Sequence, residues 1–360
     1  MYLQRLTANH LRCFSGFDLS PGPGLNLFTG GNGAGKTSIL EALHLLGYGR
    51  SFRGRVRDGL VSSGQPHLEL FAQWRDGQER ERRAGLRHSG QQWEARLDGE
   101  AAPSLTELCA EIAVVTFEPG THELIGGSSE HRRRFLDWAL FHVEPKFLTH
   151  WRRYARALKQ RNALLKSQPR AESLLPWDLE LSDAGEALTA MRAAYLERLE
   201  PVLAANAGEF LPELGLSRLS FLPGWRQTDL PLADALLLAR ERDLASGFTS
   251  VGPHRADWRL DYAAHAGRES LSRGQEKLTA LACVLAQAQA FAEDRSEWPV
   301  VCLDDLASEL DQAHQRHVLH RLRASGAQIW LTGTEVPIAL ATEWSDYHRF
   351  HVERGQVLPS

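Results

Sequence analysis

The chain has 360 residues, and because a single hydrophobic core stops growing near about 250–300 residues, this length favours more than one compact part. Hydrophobic residues make up 43% and charged residues 24%, and no apolar run approaches the roughly 18 residues of a membrane-spanning helix, so the composition indicates a globular protein outside the membrane. The net charge of −4 does not by itself indicate a polyanionic partner.

The N-terminal segment and the cysteines both indicate the cytoplasm. The first ten residues contain no basic segment followed by an apolar one, so no secretory signal is predicted. The four cysteines are scattered and never form a C-x-x-C pair, which argues against a disulfide framework, a zinc ribbon and a zinc hook. We therefore expect a cytoplasmic protein with reduced thiols.

The N-terminal third is rich in strand-forming patterns. Asp-Gly at 76–77 and 98–99 and Ser-Gly at 89–90 are typical of tight turns between strands. The pattern predicts an antiparallel region beside a nucleotide-binding loop. Its predicted strands are residues 2–8, 24–29, 68–75, 79–87 and 91–98.

Residues 30–37 match the phosphate-loop pattern G-x-x-x-x-G-K-[ST] at every fixed position. A predicted strand precedes the loop, and the apolar positions of 38–46 recur as in a helix, so the context is the one that the motif requires. A glycine-rich turn that only caps a helix is the alternative. Backbone N–H groups would cradle phosphates, Lys36 would reach the β- and γ-phosphates and assist catalysis, and Thr37 would bind Mg²⁺. The predicted nucleotide-binding residues of the loop are Gly30, Gly31, Asn32, Gly33, Ala34, Gly35, Lys36 and Thr37.

Arginines cluster in several places on this mildly acidic chain. Local basic faces of this kind can form a nucleic-acid footprint, although a solvated arginine-rich surface explains any one cluster equally well. The clusters are at residues 50–57, 80–83, 132–134 and 152–161.

The remaining chain is first helical and then alternates strands with helices. A helical pattern runs from about 128 to 214, and its last part, 177–211, is predicted to be interrupted by Pro201. Residues 275–292 predict a strong amphipathic helix. Predicted strands are residues 217–226, 257–263, 300–303, 329–331 and 347–352.

Residues 299–305 form an apolar strand that ends in two carboxylates, the arrangement called Walker B. In this interpretation Asp304 holds Mg²⁺, mostly through water, and Asp305 orients or deprotonates the attacking water. An acidic loop after a core strand would be the simpler interpretation if the motif stood alone.

Two further motifs accompany it in a characteristic order. Leu271-Ser272-Arg273-Gly274-Gln275 opens the predicted 275–292 helix, and Ala307-Ser308-Glu309-Leu310-Asp311 follows the carboxylates. The set resembles the signature motif, Walker B and D-loop of ABC-type ATPases. The resemblance implies a head-to-tail homodimer in which residues of one subunit complete the ATP site of the other, while an ordinary helix cap remains an alternative for Ser272. The residues expected to bind nucleotide in this way are Ser272, Gly274, Gln275 and Asp311.

Over essentially its whole length the chain is similar to the RecF family of bacterial recombination mediators. The residues that carry this resemblance lie at 3–14, 30–37, 40–42, 49–53, 131–138, 159–162, 251–257, 271–277 and 304–311. The resemblance implies an α/β ABC-type ATPase head, with a phosphate-loop sheet, flanking helices and an antiparallel β region, and a compact α-helical lobe without a long coiled coil. The expected division is 1–120 for the N-terminal part of the head, 121–214 for the helical lobe, and 215–360 for the part with the signature, Walker B and D-loop.

The same resemblance implies ATP and Mg²⁺ as cofactors, dimerisation on ATP, and DNA binding without a membrane. It further implies cooperation with RecO and RecR in loading the RecA recombinase at gapped DNA, and support of the SOS response. ATP hydrolysis is expected to be weak, stimulated by DNA and used as a switch.

Several positions depart from the wider ABC pattern. Asp305 stands where transporters have a longer glutamate, and Arg273 where they have glycine. No Q-loop glutamine is evident near residues 114–117, and Thr332-Gly333-Thr334 stands where a switch histidine is expected. His254 and Arg255 lie in a Gly-Pro turn, which explains them about as well as contact with DNA or nucleotide does.

Three other classes share part of this pattern. A transporter ATPase subunit would need the switch histidine and a surface that couples to membrane helices. A chromosome-tethering protein would need long heptad arms between Lys36 and Asp304, and none is present. A metabolic kinase has a phosphate loop but no reason to carry a signature motif.

Overall fold

The computed structural model describes residues 1–54, 59–167, 171–264, 271–344 and 346–359. The chain divides into two compact units, one of Met1–Thr121 with Gln287–Ser360 and the other of His122–Ala286. The chain thus leaves the first unit once and later returns to it. The division into a head of 1–120 and 215–360 and a lobe of 121–214 stays a prediction.

The elements are numbered in chain order. The strands are β1 (Tyr2–Leu11), β2 (Phe14–Leu19), β3 (Leu25–Thr29), β4 (Leu68–Arg75), β5 (Glu81–His88), β6 (Trp93–Leu97), β7 (Glu100–Ala101), β8 (Val114–Phe117), β9 (Leu216–Leu222), β10 (Asp257–Tyr262), β11 (Val300–Leu303), β12 (Ile329–Gly333), β13 (His348–Glu353) and β14 (Gln356–Pro359). The helices are α1 (Lys36–Tyr48), α2 (Leu105–Glu111), α3 (Glu123–Gly126), α4 (Ser129–Val143), α5 (Phe147–Lys166), α6 (Leu175–Phe210), α7 (Leu232–Ser246), α8 (Arg273–Arg295), α9 (Leu306–Glu309), α10 (Gln312–Ser325) and α11 (Ile338–Glu343).

A six-stranded sheet of the first unit determines where the site lies. Its order is β14-β13-β3-β12-β11-β8, and all neighbours are parallel except β13 with β14. Every residue of β3, β11 and β12 is buried, as is typical of parallel strands that are covered on both faces. Because parallel strands end at the same edge, the loops after β3 and β11 emerge at one edge of the sheet, with the end of β12 between them.

A second, antiparallel sheet of the same unit has the order β2-β1-β4-β5-β6-β7. Buried and partly buried residues alternate along β4, so that one face packs inward. A single hydrophobic core joins this face, α1 and the parallel sheet, and it includes Leu6 of β1, Ile39 of α1 and Trp330 of β12. The ATPase-head fold predicted from the motifs, a phosphate-loop sheet with an added antiparallel region, is confirmed.

Two details of the predicted antiparallel region were wrong. The strand predicted at 24–29 is β3, which lies inside the parallel sheet, because all five of its residues are buried rather than alternating. The strand β2 was not predicted. It pairs with β1 across a tight turn in which Arg12 has a positive φ of 55°. The turn residues, Arg12 and Cys13, include no glycine, so the usual sequence signal of a tight turn is missing.

The second unit is mainly helical and contains the antiparallel pair β9 and β10. Its longest helix, α6, continues through Pro201, so the predicted interruption was wrong. Buried leucines on both sides of the proline, at 196, 199 and 203, hold the helix in place although the proline removes one backbone hydrogen bond. Among the described residues, no helix is both long and apolar enough to span a membrane.

Candidate nucleotide-binding site

The phosphate loop joins the end of β3 to the start of α1, and its path requires glycine at two positions. At Gly30 φ is 154°, and a Cβ would lie 2.1 Å from the carbonyl oxygen of Val352. At Gly35 φ is 119°, and a Cβ would lie 2.6 Å from Phe14 Cζ. Any other residue would collide with backbone or core there. Gly33, with φ of 77°, has the left-handed conformation that favours glycine without such a contact.

Lys36 is the first residue of α1 and is 8% exposed. Its ammonium donates hydrogen bonds to the carbonyl oxygens of Gly30, at 2.8 Å, and Gly31, at 2.9 Å. The cation therefore lies across the start of the loop, at the N-terminus of a helix, where backbone dipoles also favour an anion.

Thr37 and Asp304 meet although they lie far apart in the sequence. The Thr37 hydroxyl is 3.0 Å from both carboxylate oxygens of Asp304, which follows β11 and is 4% exposed. Burial raises the pKa of Asp304, while hydrogen bonds from Thr332 and Thr37 act in the opposite direction. A hydroxyl and a carboxylate are hard oxygen ligands that suit Mg²⁺.

The described residues contain no group of three or more His, Cys, Asp or Glu side chains that could hold a metal ion. A site with one or two protein oxygens is typical of Mg²⁺ that is shared with nucleotide phosphates and water. The pair Thr37 and Asp304 therefore fits Mg²⁺ bound together with a nucleotide, and not a metal held by protein alone.

Asp305 has a left-handed backbone conformation, with φ of 51° and ψ of 42°. Its N–H donates to the Thr332 hydroxyl oxygen at 2.9 Å, and its carboxylate accepts from the Ser308 hydroxyl at 2.7 Å. A non-glycine residue in this conformation carries strain, and here two hydrogen bonds hold it.

These segments enclose a cavity of about 280 Å³ within the first unit. It combines phosphate-loop residues, the Walker B carboxylates and three further segments that the sequence analysis did not place at the nucleotide. Its lining residues are Arg12, Cys13, Asn32, Gly33, Gly35, Lys36, Thr37, Ser38, Arg53, Asp304, Asp305 and Thr332. Of the predicted loop residues, Gly30, Gly31 and Ala34 shape the loop without lining this cavity.

Sequence reasoning missed Arg12, Cys13 and Arg53 as site residues. Arg12 and Cys13 form the turn between β1 and β2, and Arg53 follows α1. Both stretches belong to the segments that carry the resemblance to the RecF family, and this was the available signal. Thr332 was noticed only as the residue in the place of a switch histidine.

The signature segment lies in the second unit, at the N-terminus of α8. The Ser272 N–H donates to Gln275 Oε1 at 2.9 Å, and the Gln275 N–H donates to Ser272 Oγ at 3.3 Å. These reciprocal bonds form a capping box, so the helix-cap interpretation of Ser272 holds. Ser272 and Gly274 are exposed, and a Cβ on Gly274 would meet no atom within 4 Å. Their role at the nucleotide of a second subunit stays a prediction.

Asp311 caps α10 and does not line the nucleotide cavity. Its carboxylate accepts from the His314 N–H at 3.0 Å and lies 2.7 Å from His314 Nδ1, and these bonds lower the pKa of Asp311. It lines a separate cavity of about 460 Å³ with residues of 334–338. Its predicted contact with nucleotide stays a prediction too.

The structure reduces the number of arginines in the predicted basic clusters that are available to contact DNA. Arg161 is fully buried and lies between Asp178, at 2.6 Å, and Asp243, at 2.7 Å. Arg132 is 2% exposed and pairs with Asp257 at 2.6 Å. Neither arginine can contact DNA, because each is itself buried and is paired with carboxylates of the second unit.

Other cluster members differ in how available they are. Arg153 pairs with Glu180 and Asp183, each within 3.0 Å. Within the 152–161 cluster, three basic side chains of the same helix, α5, are exposed, namely Arg152, Arg156 and Lys159. In the 50–57 cluster, Arg55 and Arg57 lie outside the described residues.

His254 is held within the second unit. Its Nδ1 lies 2.6 Å from the Tyr154 hydroxyl, and its Nε2 lies 2.9 Å from the carbonyl oxygen of Thr249. Burial lowers the pKa of His254 to about 4, so the ring is neutral near pH 7. The arrangement supports the interpretation of this segment as a turn with satisfied polar side chains.

Known proteins that are similar to this chain include nucleotide-binding ones, in agreement with the geometry of the site. The family described as RecF/RecN/SMC N terminal domain matches residues 2–339. The DNA replication and repair protein RecF of Stenotrophomonas maltophilia is 60% identical over 362 residues, which cover 99% of each chain. A solved structure of the recombination mediator protein RecF-ATP of the RecFOR pathway is 26% identical, with a TM-score of 0.90, over 100% of this chain and 97% of that one.

A more distant structure shares the fold alone. An Smc head bound to the C-terminal winged-helix domain of ScpA is 14% identical, with a TM-score of 0.62, and covers 100% of this chain and 98% of that one. The high identity to RecF over the full length, together with the assembled phosphate loop and Walker B carboxylate, shows that the chain belongs to the RecF family.

Proposed function

We propose that the protein is an ATP-dependent DNA-binding protein of recombinational repair and replication. The observation that carries this proposal is one cavity in which phosphate-loop residues, among them Lys36 and Thr37, meet Asp304, in a chain that is 60% identical to a DNA replication and repair protein. The cavity lining is mainly polar and charged, as a nucleoside triphosphate requires.

ATP binds at the phosphate loop in this proposal. Lys36 and the backbone N–H groups of the loop hold the phosphates, and Thr37 and Asp304 hold Mg²⁺. When bound, Mg²⁺ neutralises charge on the transferred phosphate. Asp305, fixed by Thr332 and Ser308, orients the attacking water, and its side chain is one methylene shorter than glutamate. We infer slow hydrolysis that acts as a switch.

The signature residues Ser272, Gly274 and Gln275, with Asp311, act on the ATP of a second subunit. The exposed capping box supports this, because the N-terminus of α8 offers N–H groups and a positive dipole end to an anion outside its own chain. ATP bound between two subunits favours the dimer by mass action.

In the cell, the ATP-bound dimer engages gapped DNA and, with RecO and RecR, helps load the RecA recombinase. This role also supports induction of the SOS response. It rests on membership of the RecF family and on the RecFOR pathway of the structural relative.

Sedimentation velocity tests the nucleotide, dimer and DNA parts of this proposal together. The purified protein is measured alone, with ATP and Mg²⁺, and with ATP, Mg²⁺ and a duplex bearing a single-stranded gap. We expect a monomer alone, a dimer with ATP, and a dimer that sediments with DNA. A protein that stays monomeric with ATP and leaves DNA free would contradict the proposal.

A further inference from the structure

Glu41 of α1 is fully buried, four residues after Thr37, and has no assigned role. Its carboxylate accepts two hydrogen bonds from Arg12, from Nε at 2.9 Å and from Nη2 at 2.6 Å. It also accepts a hydrogen bond from the Ser51 hydroxyl. Arg53 Nη1 lies 3.7 Å from its second oxygen. One buried carboxylate thus contacts three side chains from two separate segments.

This arrangement connects those segments to the helix that begins at the phosphate loop. Arg12 belongs to the turn between β1 and β2, whose backbone is held by hydrogen bonds of Arg12 N–H to Leu60 and of Ser62 to Arg12. Ser51 and Arg53 belong to the segment after α1. The buried charge of Glu41 is stabilised by Arg12 and Arg53, and the same attraction holds the two arginines at α1. We therefore expect that removing this charge loosens both segments.

Both segments carry cations to the nucleotide cavity. Arg12 and Arg53 line it together with Lys36, and the Arg53 side chain is 43% exposed. Arg53 Nη1 also donates to the hydroxyl of Ser38 at 3.2 Å, and Ser38 lies directly after Thr37. Arg53 is therefore both accessible from the cavity and aligned with the start of α1. A guanidinium is always charged and presents several donors to phosphate oxygens.

We propose that Glu41 is a positioning residue that holds Arg53, with the help of Arg12, where its guanidinium contacts the phosphate chain of the bound nucleotide. The inference rests on the proposed ATP site and adds a second source of positive charge to Lys36. Glu41 does not touch the nucleotide and acts through Arg53.

Isothermal titration of ATP with Arg53→Ala, Glu41→Gln and the double variant tests this. We expect each single variant to raise the Kd roughly tenfold, as the removal of a charge-assisted hydrogen bond predicts. Because Glu41 acts through Arg53, the double variant should bind about as weakly as the weaker single variant and should not show the product of both effects. A merely structural Glu41 would give additive effects.

Arg5→Ala is a matched control, since it removes an arginine of the same hairpin whose pair with Asp18 is exposed. It should bind ATP as the parent does. Should Glu41→Gln fail to fold, Arg53→Ala and Ser51→Ala decide the matter, because both side chains lie at or near the surface of the site. Parental ATP affinity in Arg53→Ala would overturn the inference.

Lys36→Ala separates this inference from the proposed function. If Lys36→Ala loses ATP while Arg53→Ala and Glu41→Gln keep parental affinity, the phosphate loop is correct and only the role of Glu41 and Arg53 is wrong. If Lys36→Ala itself keeps parental affinity, the proposed ATP site is wrong.

Discussion

The Thr332 hydroxyl donates a hydrogen bond of 2.6 Å to Asp304. The same oxygen accepts the N–H of Asp305 at 2.9 Å. Thr332 lies near the end of β12, beside β11, and so one side chain fixes both Walker B residues. In the position where transporter ATPases have a switch histidine, the chain has a residue that holds the Walker B carboxylate of Asp304, the proposed Mg²⁺ ligand, in place.

Asp304→Asn should stabilise the protein and abolish its use of Mg²⁺. Burial raises the pKa of Asp304 in the folded protein above the unfolded-state pKa of about 3.8. The contribution of this carboxyl group to the free energy of unfolding is therefore complete below the unfolded-state pKa and is lost as pH rises through the folded-state pKa. At neutral pH the ionised group is therefore destabilising. We expect Asp304→Asn to raise Tm at pH 7 more than at pH 4, measured by calorimetry.

The effect of Asp304→Asn on ATP affinity is measured by titrating ATP with and without Mg²⁺. Parental affinity should depend on Mg²⁺, and that of Asp304→Asn should not. Asp18→Asn is the control with the opposite sign, because the Arg5 partner lowers the pKa of Asp18. A lower Tm at pH 7 for Asp304→Asn would show that Thr37 and Thr332 already compensate the buried charge.

Lys36→Ala should weaken ATP binding by on the order of 100-fold, about the value of two charge-assisted hydrogen bonds. The fold should remain, because the hydrogen bonds of the ammonium to described residues are to the loop carbonyls of Gly30 and Gly31. Calorimetric titration measures the affinity and thermal unfolding checks the fold. Near-parental affinity in a folded Lys36→Ala protein would reject the phosphate-loop assignment.

Asp305→Asn keeps the size of the side chain and removes its negative charge. ATP should still bind, turnover should fall by about 100-fold, and the ATP-bound dimer should persist longer. Phosphate release and sedimentation measure the two effects. Hydrolysis at the parental rate would show that Asp305 does not orient the water.

Ser272→Arg places a bulky cation at the exposed N-terminus of α8. ATP binding by the monomer should survive, since the chain's own phosphate loop is unchanged, whereas ATP-dependent dimerisation should be lost. Ser272→Ala is the matched control, because it removes the cap, at a cost of about 1 kcal/mol, without the bulk. The trans-acting role would be falsified if Ser272→Arg still dimerised with ATP in analytical ultracentrifugation.

The exposed basic side chains of α5 are the remaining candidates for DNA binding in the 152–161 cluster. Each DNA phosphate that a cation neutralises releases counterions, so replacing Arg152, Arg156 and Lys159 with glutamine should flatten the slope of log affinity against log salt. The expected change is about 0.9 for each phosphate that is no longer neutralised. Fluorescence anisotropy of labelled duplex measures the slope at several salt concentrations. Arg5 and Arg354 are exposed, paired with acidic neighbours and outside all four basic clusters, so they provide a control double variant. An unchanged slope would place the DNA footprint elsewhere.

Parts of the site that depend on adjacent residues could be predicted from the sequence. The phosphate loop is such a case, because its glycines, Lys36 and Thr37 act through one continuous turn into α1. The capping box of Ser272 and Gln275 is another, since its hydrogen bonds join residues three apart. The strand that ends at Asp304 was recognised because a buried parallel strand is a short apolar run.

The sequence alone thus determined the nucleotide-binding motif, the ATPase-head fold and the family, because local backbone rules and ordered motifs carry them. Tertiary structure decided which distant side chains meet. Arg161 looks like a surface cation until Asp178 and Asp243 enclose it, and Glu41 acquires Arg12 and Arg53 only when two other segments pack against α1. The sequence shows which side chains can carry a charge, but their solvation and their partners depend on residues that only folding brings together.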